Sequence, residues 1–160
     1  MNFVTYFYSP LGWIEIKASI DAVTSVIFCD ERNDSRDDSP ILSECVRQLS
    51  EYFDGSRKNF DLPVQQHGTD FQQSVWNSLT DIPFGKTVSY ADIAKKINNP
   101  KSVRAVGAAN GKNKVWIIIP CHRVIGSDGS LTGYAGGLER KKWLLEHEKS
   151  KTSQNQFARL

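Results

Sequence analysis

A cysteine and a histidine stand side by side at Cys121 and His122, directly after a run of apolar and β-branched residues. A cysteine thiolate is a strong nucleophile, and histidine is the side chain whose charge ordinarily changes near neutral pH. Because a protonated thiol reacts poorly, a nucleophilic cysteine needs a base, and that base works best when a third group orients it. The Cys121–His122 pair therefore indicates a reaction in which the cysteine sulfur is the nucleophile.

Glu148 is the candidate for the third group. It follows Leu144 and Leu145 by four and three positions on a predicted C-terminal helix, which places its carboxylate on the apolar face, where it needs a partner. Each residue also has an ordinary explanation: Cys121 as a buried structural thiol, His122 as a hydrogen-bonded core histidine, and Glu148 as part of a frayed helix end. Taken singly, each fits that ordinary explanation better.

The segment before the cysteine controls whether the two side chains can meet. Val115–Ile119 is rich in β-branched residues, and we predict that it forms a buried strand. Neighbouring residues of a strand point to opposite faces, so Cys121 and His122 meet only if the strand ends in a turn there or if a water bridges them. Pro120 favours the turn.

The elements that must position these residues fall into two lobes, 1–67 and 68–150, followed by a tail at 151–160 that we predict to be flexible. The first lobe is predicted to contain strands over 3–19 (with a turn at 9–12), 22–29 and 60–64, a loop at 30–39, a helix over 41–53, and a linker at 65–68. Cys45 lies on the apolar stripe of that helix, which indicates core packing.

The second lobe is predicted to be a series of short helices. Thr69 and Gln72 fit a capping box for the first, and the second begins after Ser89. Asn99 as N-cap and Pro100 as first residue predict a third helix through Ala109. The second and third helices have the outline of a helix-turn-helix.

The third helix is unusual because it has few long side chains. Small residues occupy positions 105 and 107–109, and Arg104 is the single long side chain beside them. Such a helix could enter a narrow duplex groove with Arg104 as a probe. The alternative is close packing against another helix, with Arg104 in a surface ion pair.

The charge of the chain is divided unevenly. Residues 1–85 carry 6 Lys and Arg against 13 Asp and Glu, a formal charge of −7, whereas residues 86–160 carry 14 against 5, a charge of +9. A basic half of this size usually meets an anionic partner, and nucleic acid is the first candidate. A solvated, lysine-rich surface is the alternative.

The cysteines and the N-terminus narrow the class of protein further. The three cysteines are an odd number without a C-x-x-C spacing, which excludes a disulfide framework and a four-ligand zinc site built from them. We predict no metal site. The N-terminus shows no basic region before an apolar stretch, and no apolar run approaches the roughly 20 residues of a membrane span. We expect an intracellular, unanchored protein without a membrane partner.

The stretch IPCHRVI at 119–125 resembles the active-site signature of the methylated-DNA–protein-cysteine methyltransferases, also called alkylguanine-DNA alkyltransferases. The resemblance extends from about Phe71 to Glu148. It includes VSY at 88–90, NP at 99–100, RAVG at 104–107, Asn113 and TGYAGG at 132–137. It implies an α+β fold: a small mixed α/β first lobe with an antiparallel sheet, then a mainly helical lobe with a winged-helix-like helix-turn-helix.

The resemblance also implies a reaction, which is a single irreversible transfer of an alkyl group from the 6-oxygen of guanine to Cys121. The 4-oxygen of thymine would be the poorer substrate. The implied roles are proton acceptance through a water by His122, orientation of His122 by Glu148, and support of the cysteine turn by Asn113. No metal or organic cofactor is implied.

The remaining implied roles concern DNA and the base. Double-stranded DNA with alkylated bases would be bound through its minor groove by a monomer; whether copies cooperate along DNA is left open by the sequence. The resemblance implies that Tyr90 rotates the nucleotide and protonates the leaving group, and that Arg104 replaces the extruded base. The carbonyls of Cys121 and Val124 would read the exocyclic amine of the base, and Tyr134 and Ala135 would line the opposite wall of the pocket. Asn99 and Ser127 match positions that contact DNA.

Trp116 departs from the family pattern, in which a smaller residue or proline is common, and it is expected to narrow the pocket or rearrange its wall. Two other functions stay open at this point. A thiol hydrolase built on Cys121, His122 and Glu148 would turn over repeatedly and would need an oxyanion hole. A non-catalytic helix-turn-helix protein would bind DNA with Cys121 incidental.

Overall fold

The computed structural model describes residues 2–33 and 36–158. The chain divides into two compact units that are not continuous in sequence. The first consists of Met1–His67 together with Lys114–Ile118, and the second of Gly68–Asn113 together with Ile119–Leu160.

The first unit is built on a three-stranded antiparallel sheet in the order β1-β2-β3, with β1 at Phe3–Ser9, β2 at Gly12–Ala18 and β3 at Val23–Cys29. Strand β2 alternates as its sequence predicts, since Ile14, Ile16 and Ala18 are buried and the residues between them are not. Helix α1, at Pro40–Asp54, covers the sheet with an apolar face that includes Cys45. Its N-cap is Ser39, whose hydroxyl accepts a hydrogen bond from the Leu42 N–H at 3.1 Å.

Two further residues pair with β3 at single positions. Val64 forms a parallel bridge to Val23, so the strand predicted over 60–64 is reduced to one bridge. Val115 forms a parallel bridge to Val26.

The buried strand predicted over 115–119 is wrong beyond Val115. The chain turns at once, with Ile117 in the left-handed region at φ 72° and the Ile118 N–H donating to the Trp116 carbonyl at 2.8 Å. Val115, Ile117 and Ile119 are nevertheless buried. These residues are apolar because their side chains are buried. Their β-branched side chains do not by themselves require an extended backbone.

The second unit contains helices α2 (Asp70–Leu79), α3 (Tyr90–Lys96), α4 (Val103–Gly111) and α5 (Leu138–Ala158), a parallel pair of short strands β4 (Val88–Ser89) and β5 (Val124–Ile125), and one turn of 3₁₀ helix at Cys121–Arg123. The predicted capping box of Thr69 and Gln72 begins α2, and Ser89 with Asp92 forms a second capping box that begins α3. These local signals position the start of each helix correctly.

The predicted start of the third helix is wrong. Helix α4 begins at Val103 with Ser102 as N-cap, while Asn99 and Pro100 belong to the preceding turn. The turn arises because Asn98 adopts the left-handed conformation at φ 60° and Ser102 closes it, with its N–H and hydroxyl donating to the Asn99 carbonyl at 3.0 and 2.6 Å. Helices α3 and α4 still form the predicted helix-turn-helix.

The predicted mixed α/β class is confirmed, and the winged-helix detail stays a prediction. Helix α5 continues to Ala158, so eight residues of the tail predicted from 151 onwards are helical, and residues 159–160 lie outside the described part of the chain. Across the described ranges, no helix has the length and apolar character to cross a membrane. In those same ranges, no group of three or more His, Cys, Asp or Glu side chains could hold a metal ion.

Candidate active site

Cys121 lies in a tight turn at the entrance to β5. The Cys121 N–H donates to the Ile119 carbonyl at 2.8 Å, and the Arg123 N–H donates to the Pro120 carbonyl at 3.0 Å. Cys121 and His122 are therefore consecutive residues of one 3₁₀ turn, the arrangement that the sequence left open beside an extended strand. The cysteine is only 3% exposed.

The surroundings of the Cys121 thiol keep it protonated at rest. Burial raises its pKa to about 11, and a hydrogen bond with the Asn113 side chain and the charge of Lys141 oppose that rise. The sulfur therefore needs a neighbouring group to accept its proton before it can act as a nucleophile.

Glu148 is the anchor of a buried hydrogen-bond network. Its Oε2 lies 2.7 Å from His122 Nε2, and its carboxylate also accepts from Arg123 through Nε at 2.8 Å and Nη2 at 3.1 Å. The Gly85 N–H adds a donation to Oε1 at 3.3 Å. The carboxylate is thus held by three different residues and is fully buried.

The charges of this network set the state of His122. Burial alone would raise the pKa of Glu148, but His122 and the hydrogen bonds from Arg123 hold it well below its ordinary value. Burial lowers the pKa of His122 more than Glu148 raises it, and the Arg123 charge lowers it further. His122 is therefore neutral, with Nε2–H donating to Glu148, and its buried Nδ1 has no hydrogen-bond partner in the described part of the chain. That nitrogen is free to take a proton.

Arg123 is a residue that the sequence reasoning missed. Besides its contacts to Glu148, it donates from Nη1 to the Ile82 carbonyl at 2.7 Å. Its positive charge balances the negative charge of the Glu148 carboxylate, so His122 does not have to be protonated to balance it. No local pattern could have identified this role, because it depends on the 82–85 turn meeting the cysteine turn.

Lys141 was missed as well. It is fully buried and donates from Nζ to the Val124 carbonyl at 2.6 Å and to the Thr132 carbonyl at 2.8 Å. A signal was present, since Lys141 precedes Leu144 by three positions and Glu148 by seven on the same inward face of α5. Burial lowers the pKa of Lys141, and a Cys121 thiolate would raise it again.

The second unit contains a cavity of about 550 Å³, a size suited to one small organic group. Three residues predicted to handle the base line it together, Tyr90, Tyr134 and Ala135, and Asn110 lines it too. The Thr132 hydroxyl donates to the Tyr90 oxygen at 2.9 Å, which leaves the Tyr90 proton available for another acceptor. Asn110 links the cavity to the cysteine, because its Nδ2 donates to the Cys121 carbonyl at 3.3 Å.

The other predicted residues lie as follows. Asn113 is buried and donates from Nδ2 to the Ile119 carbonyl at 3.0 Å, which supports the turn before the cysteine. The residues predicted to contact DNA are all exposed: Asn99, Arg104 and Ser127. On α4, Ala105 and Ala108 are exposed beside Arg104, whereas Gly107 is half-buried and Ala109 is buried, so only part of the small-residue set is left open.

The expectation for Trp116 is wrong. Its indole packs against the Phe28 ring in the first unit, with ring centroids 5.8 Å apart. Trp116 does not line the cavity that contains Tyr90 and Tyr134.

The buried network makes a prediction about stability in acid. Because the folded pKa of His122 lies below the ordinary 6.5, the unfolded chain takes up a proton that the folded chain does not, so the free energy of unfolding should fall as the pH drops below about 6.5. The loss should reach at most about 1.4 kcal/mol per pH unit for this one proton. Urea denaturation between pH 7.5 and 5 measures it. In His122→Gln this component should vanish, and identical profiles for the two proteins would contradict the assignment.

Comparisons with known proteins agree on one family. The family model described as the 6-O-methylguanine DNA methyltransferase DNA binding domain matches residues 70–150, and the model for the ribonuclease-like domain of the same family matches residues 2–66. The constitutive methylated-DNA–protein-cysteine methyltransferase of Bacillus subtilis is 45% identical over 93% of this chain and 96% of its own length. The enzyme of the same name from Methanosarcina acetivorans is 45% identical over 90% of this chain and 96% of its own.

Solved structures of relatives have the same fold. The Mycobacterium tuberculosis O6-methylguanine methyltransferase is 42% identical, with a TM-score of 0.86 and 94% of each chain covered. A structure of Mycobacterium tuberculosis OGT in complex with DNA is 44% identical, with a TM-score of 0.84, covering 91% of this chain and 92% of that one.

Proposed function

The chain belongs to the 6-O-methylguanine DNA methyltransferase family, and from this premise we propose that Cys121 is the residue that accepts the alkyl group. The activity is that of a methylated-DNA–protein-cysteine methyltransferase, which repairs DNA by direct reversal of damage, and DNA is its partner. The observation that carries the proposal is the neutral, buried His122 held between Glu148 and the cysteine turn. It provides the proton acceptor that a thiol with a raised pKa requires.

The reaction follows from this geometry. The Cys121 proton passes through a water to Nδ1 of His122, and Glu148 stabilises the imidazolium that forms. The thiolate then attacks the alkyl carbon in line, so that an S–C bond forms while the C–O bond breaks and its electron pair stays on the guanine oxygen. Tyr90 donates its proton to that oxygen or to the adjacent ring nitrogen. The product is a thioether with no route back, so each molecule acts once.

The substrate must leave the helix before this can happen. The alkyl carbon of a 6-O-alkylguanine lies within the base stack, so the nucleotide is flipped into a pocket. The cavity lined by Tyr90, Tyr134 and Ala135 is the place for the base. The same geometry accepts a 4-O-alkylthymine less well, because the smaller ring fills less of the space.

The helix-turn-helix positions the DNA. The exposed small-residue surface of α4 can approach the minor groove closely, and Arg104 enters the stack in place of the flipped base. Asn99 and Ser127 are exposed and available to contact the backbone. One copy of the chain carries every group named above, which supports action as a monomer.

The test is mass spectrometry after the protein is mixed with a duplex that contains 6-O-methylguanine. We expect one methyl group per chain, on the peptide that contains Cys121, with no further conversion when lesion is in excess. Normal binding to the duplex without an adduct would favour a non-catalytic DNA-binding protein. Repeated hydrolysis of an ester or amide would favour a thiol hydrolase.

Arg104→Ala gives a second prediction about DNA. Repair of the duplex lesion should slow by about tenfold to a hundredfold, because the unstacked gap that costs a few kcal/mol is no longer filled. Dealkylation of the free base 6-O-methylguanine should stay within about twofold, since no stack is involved. Single-turnover rates with both substrates measure the difference. Lys101→Ala, which removes a nearby exposed charge, is the control and should change the two rates far less. Equal slowing of both substrates by Arg104→Ala would make Arg104 structural.

A further inference from the structure

A hydrogen bond joins two hydroxyl groups on the wall of the cavity. The Thr132 hydroxyl donates to the Tyr90 oxygen at 2.9 Å, although 42 residues separate the two in sequence. Both residues line the cavity, and both are half-buried. Because the Tyr90 oxygen is the acceptor in this bond, its own proton points away from Thr132 and is available to another acceptor.

Both ends of this hydrogen bond are fixed to strand β5, which follows the cysteine turn. Tyr90 is the first residue of α3 and comes directly after β4, which pairs with β5. The Thr132 carbonyl accepts from Lys141 Nζ at 2.8 Å, and the same Nζ donates to the Val124 carbonyl of β5 at 2.6 Å. The two hydroxyls are therefore held in place before any substrate arrives, so little rearrangement is needed during the reaction.

The bond between the hydroxyls becomes stronger when Tyr90 gives up its proton. In the proposed reaction the electron pair of the broken C–O bond stays on the guanine, and the Tyr90 O–H bond breaks to place a proton there. The oxygen left behind is a phenolate that faces the Thr132 hydroxyl. A hydrogen bond to an ionised oxygen is shorter and roughly twice as strong as one to a neutral oxygen.

The charges balance in this step. The proton that the Cys121 thiol lost is on His122 as a positive charge, which offsets the negative charge of the Tyr90 phenolate. The phenolate regains a proton from water after the transfer, and no further reactant is needed.

We propose that Thr132 is a positioning residue for alkyl transfer, whose hydroxyl directs the Tyr90 proton away from itself towards the leaving group and stabilises the phenolate that forms. This inference rests on the proposed function, since Thr132 acts through Tyr90 as the proton donor. Its contribution grows as the C–O bond breaks. It should therefore affect the rate constant of transfer and leave the affinity for the lesion-containing duplex unchanged.

The experiment combines Thr132→Val and Tyr90→Phe in a double-mutant cycle. Valine keeps the branched shape and removes the hydroxyl, and the backbone carbonyl that contacts Lys141 remains. The saturating single-turnover rate constant of methyl transfer to Cys121 from a 6-O-methylguanine duplex is measured, together with the Kd for that duplex. We expect Thr132→Val alone to lower the rate constant by about tenfold, because the phenolate loses its donor, with Kd within about twofold. In the Tyr90→Phe chain, which has no phenol proton to direct, adding Thr132→Val should change the rate constant by less than about twofold.

Thr132→Ser is the matched control, because it keeps the hydroxyl and removes only a methyl group. Its rate constant should stay within about threefold of the wild type. Thr132→Ala also lacks the hydroxyl and repeats the test if the valine variant does not fold.

Three results would overturn the assignment: a wild-type rate constant in Thr132→Val, a loss of the same size in the Tyr90→Phe background, or a Thr132→Ser chain as slow as Thr132→Val. A wild-type rate constant in Tyr90→Phe would remove Tyr90 as the donor, and the role of Thr132 would fall with it. Failure of the proposed function would look different, since the wild-type chain would then form no Cys121 adduct.

Discussion

Replacing Cys121 with alanine is expected to abolish alkyl transfer completely, to below detection in a single-turnover assay, while the affinity for duplex DNA stays within about threefold. In the proposed mechanism the Cys121 sulfur forms the new bond, so without it no nucleophile is positioned in line with the alkyl carbon. DNA affinity should persist because it depends mainly on phosphate contacts and on the exposed surface of α4. Mass spectrometry and a binding titration at fixed salt measure the two quantities.

The chain offers a matched control in its other cysteines. Cys29 is half-buried on β3, and Cys29→Ser should form the full methyl adduct. Cys45 lies on the buried face of α1, and burial raises its pKa to about 12, which makes it an unreactive thiol. If the Cys121→Ala chain still gained a methyl group, the acceptor would be a different residue and the proposed site would be incorrect.

Arg123→Met should have the second largest effect, and it should act through pH. Burial still lowers the pKa of His122, but without the Arg123 charge Glu148 raises that pKa against less opposition, so a larger fraction of the imidazole is protonated and unable to accept the thiol proton at Nδ1. The rate at pH 7 should fall by about tenfold to a hundredfold, because the neutral imidazole is scarcer and because Glu148, which orients it, also loses its two hydrogen bonds from Arg123. The midpoint of the rate profile should move upwards by about one pH unit, so that activity partly recovers at higher pH.

Arg123→Lys is the control, since it keeps the positive charge but loses the forked contact with Glu148. It should retain a pH midpoint close to that of the wild type even if its rate is lower. Loss of a buried charge partner costs about 3–5 kcal/mol, so urea denaturation of Arg123→Met must accompany the kinetics. A lower rate with an unchanged midpoint would show that Arg123 only stabilises the fold.

The sequence predicted those features that depend on a few neighbouring residues. The capping box of Thr69 and Gln72 needs only four residues, and it begins α2 as expected. Asn99 and Pro100 gave an equally clear signal for the start of the third helix, but that prediction was wrong. The left-handed Asn98 and the hydrogen bonds of Ser102 form a turn at these residues, and α4 begins after it. The strand predicted over Val115–Ile119 was wrong because apolar, β-branched residues suit any buried backbone, including a turn.

The site shows the same division. Glu148 was predicted to be buried because helical spacing indicates which face of α5 points inward. The same spacing places Lys141 on that buried face. Lysine was passed over because a charged side chain on a helix is ordinarily solvated. Arg123 could not be found this way, since it acts through contacts with residues far away in sequence, the Ile82 carbonyl and the Glu148 carboxylate.

The first unit is completed by residues that come late in the chain. Val115 pairs with Val26 of the central sheet's β3, yet nearly ninety residues of sequence separate them. During synthesis, Val115 therefore becomes available to pair with β3 only after residues 68–113 of the second unit have been translated. A nascent fragment ending at His67 would leave one edge of its core open to water, and we expect it to depend on chaperones until residue 118 emerges.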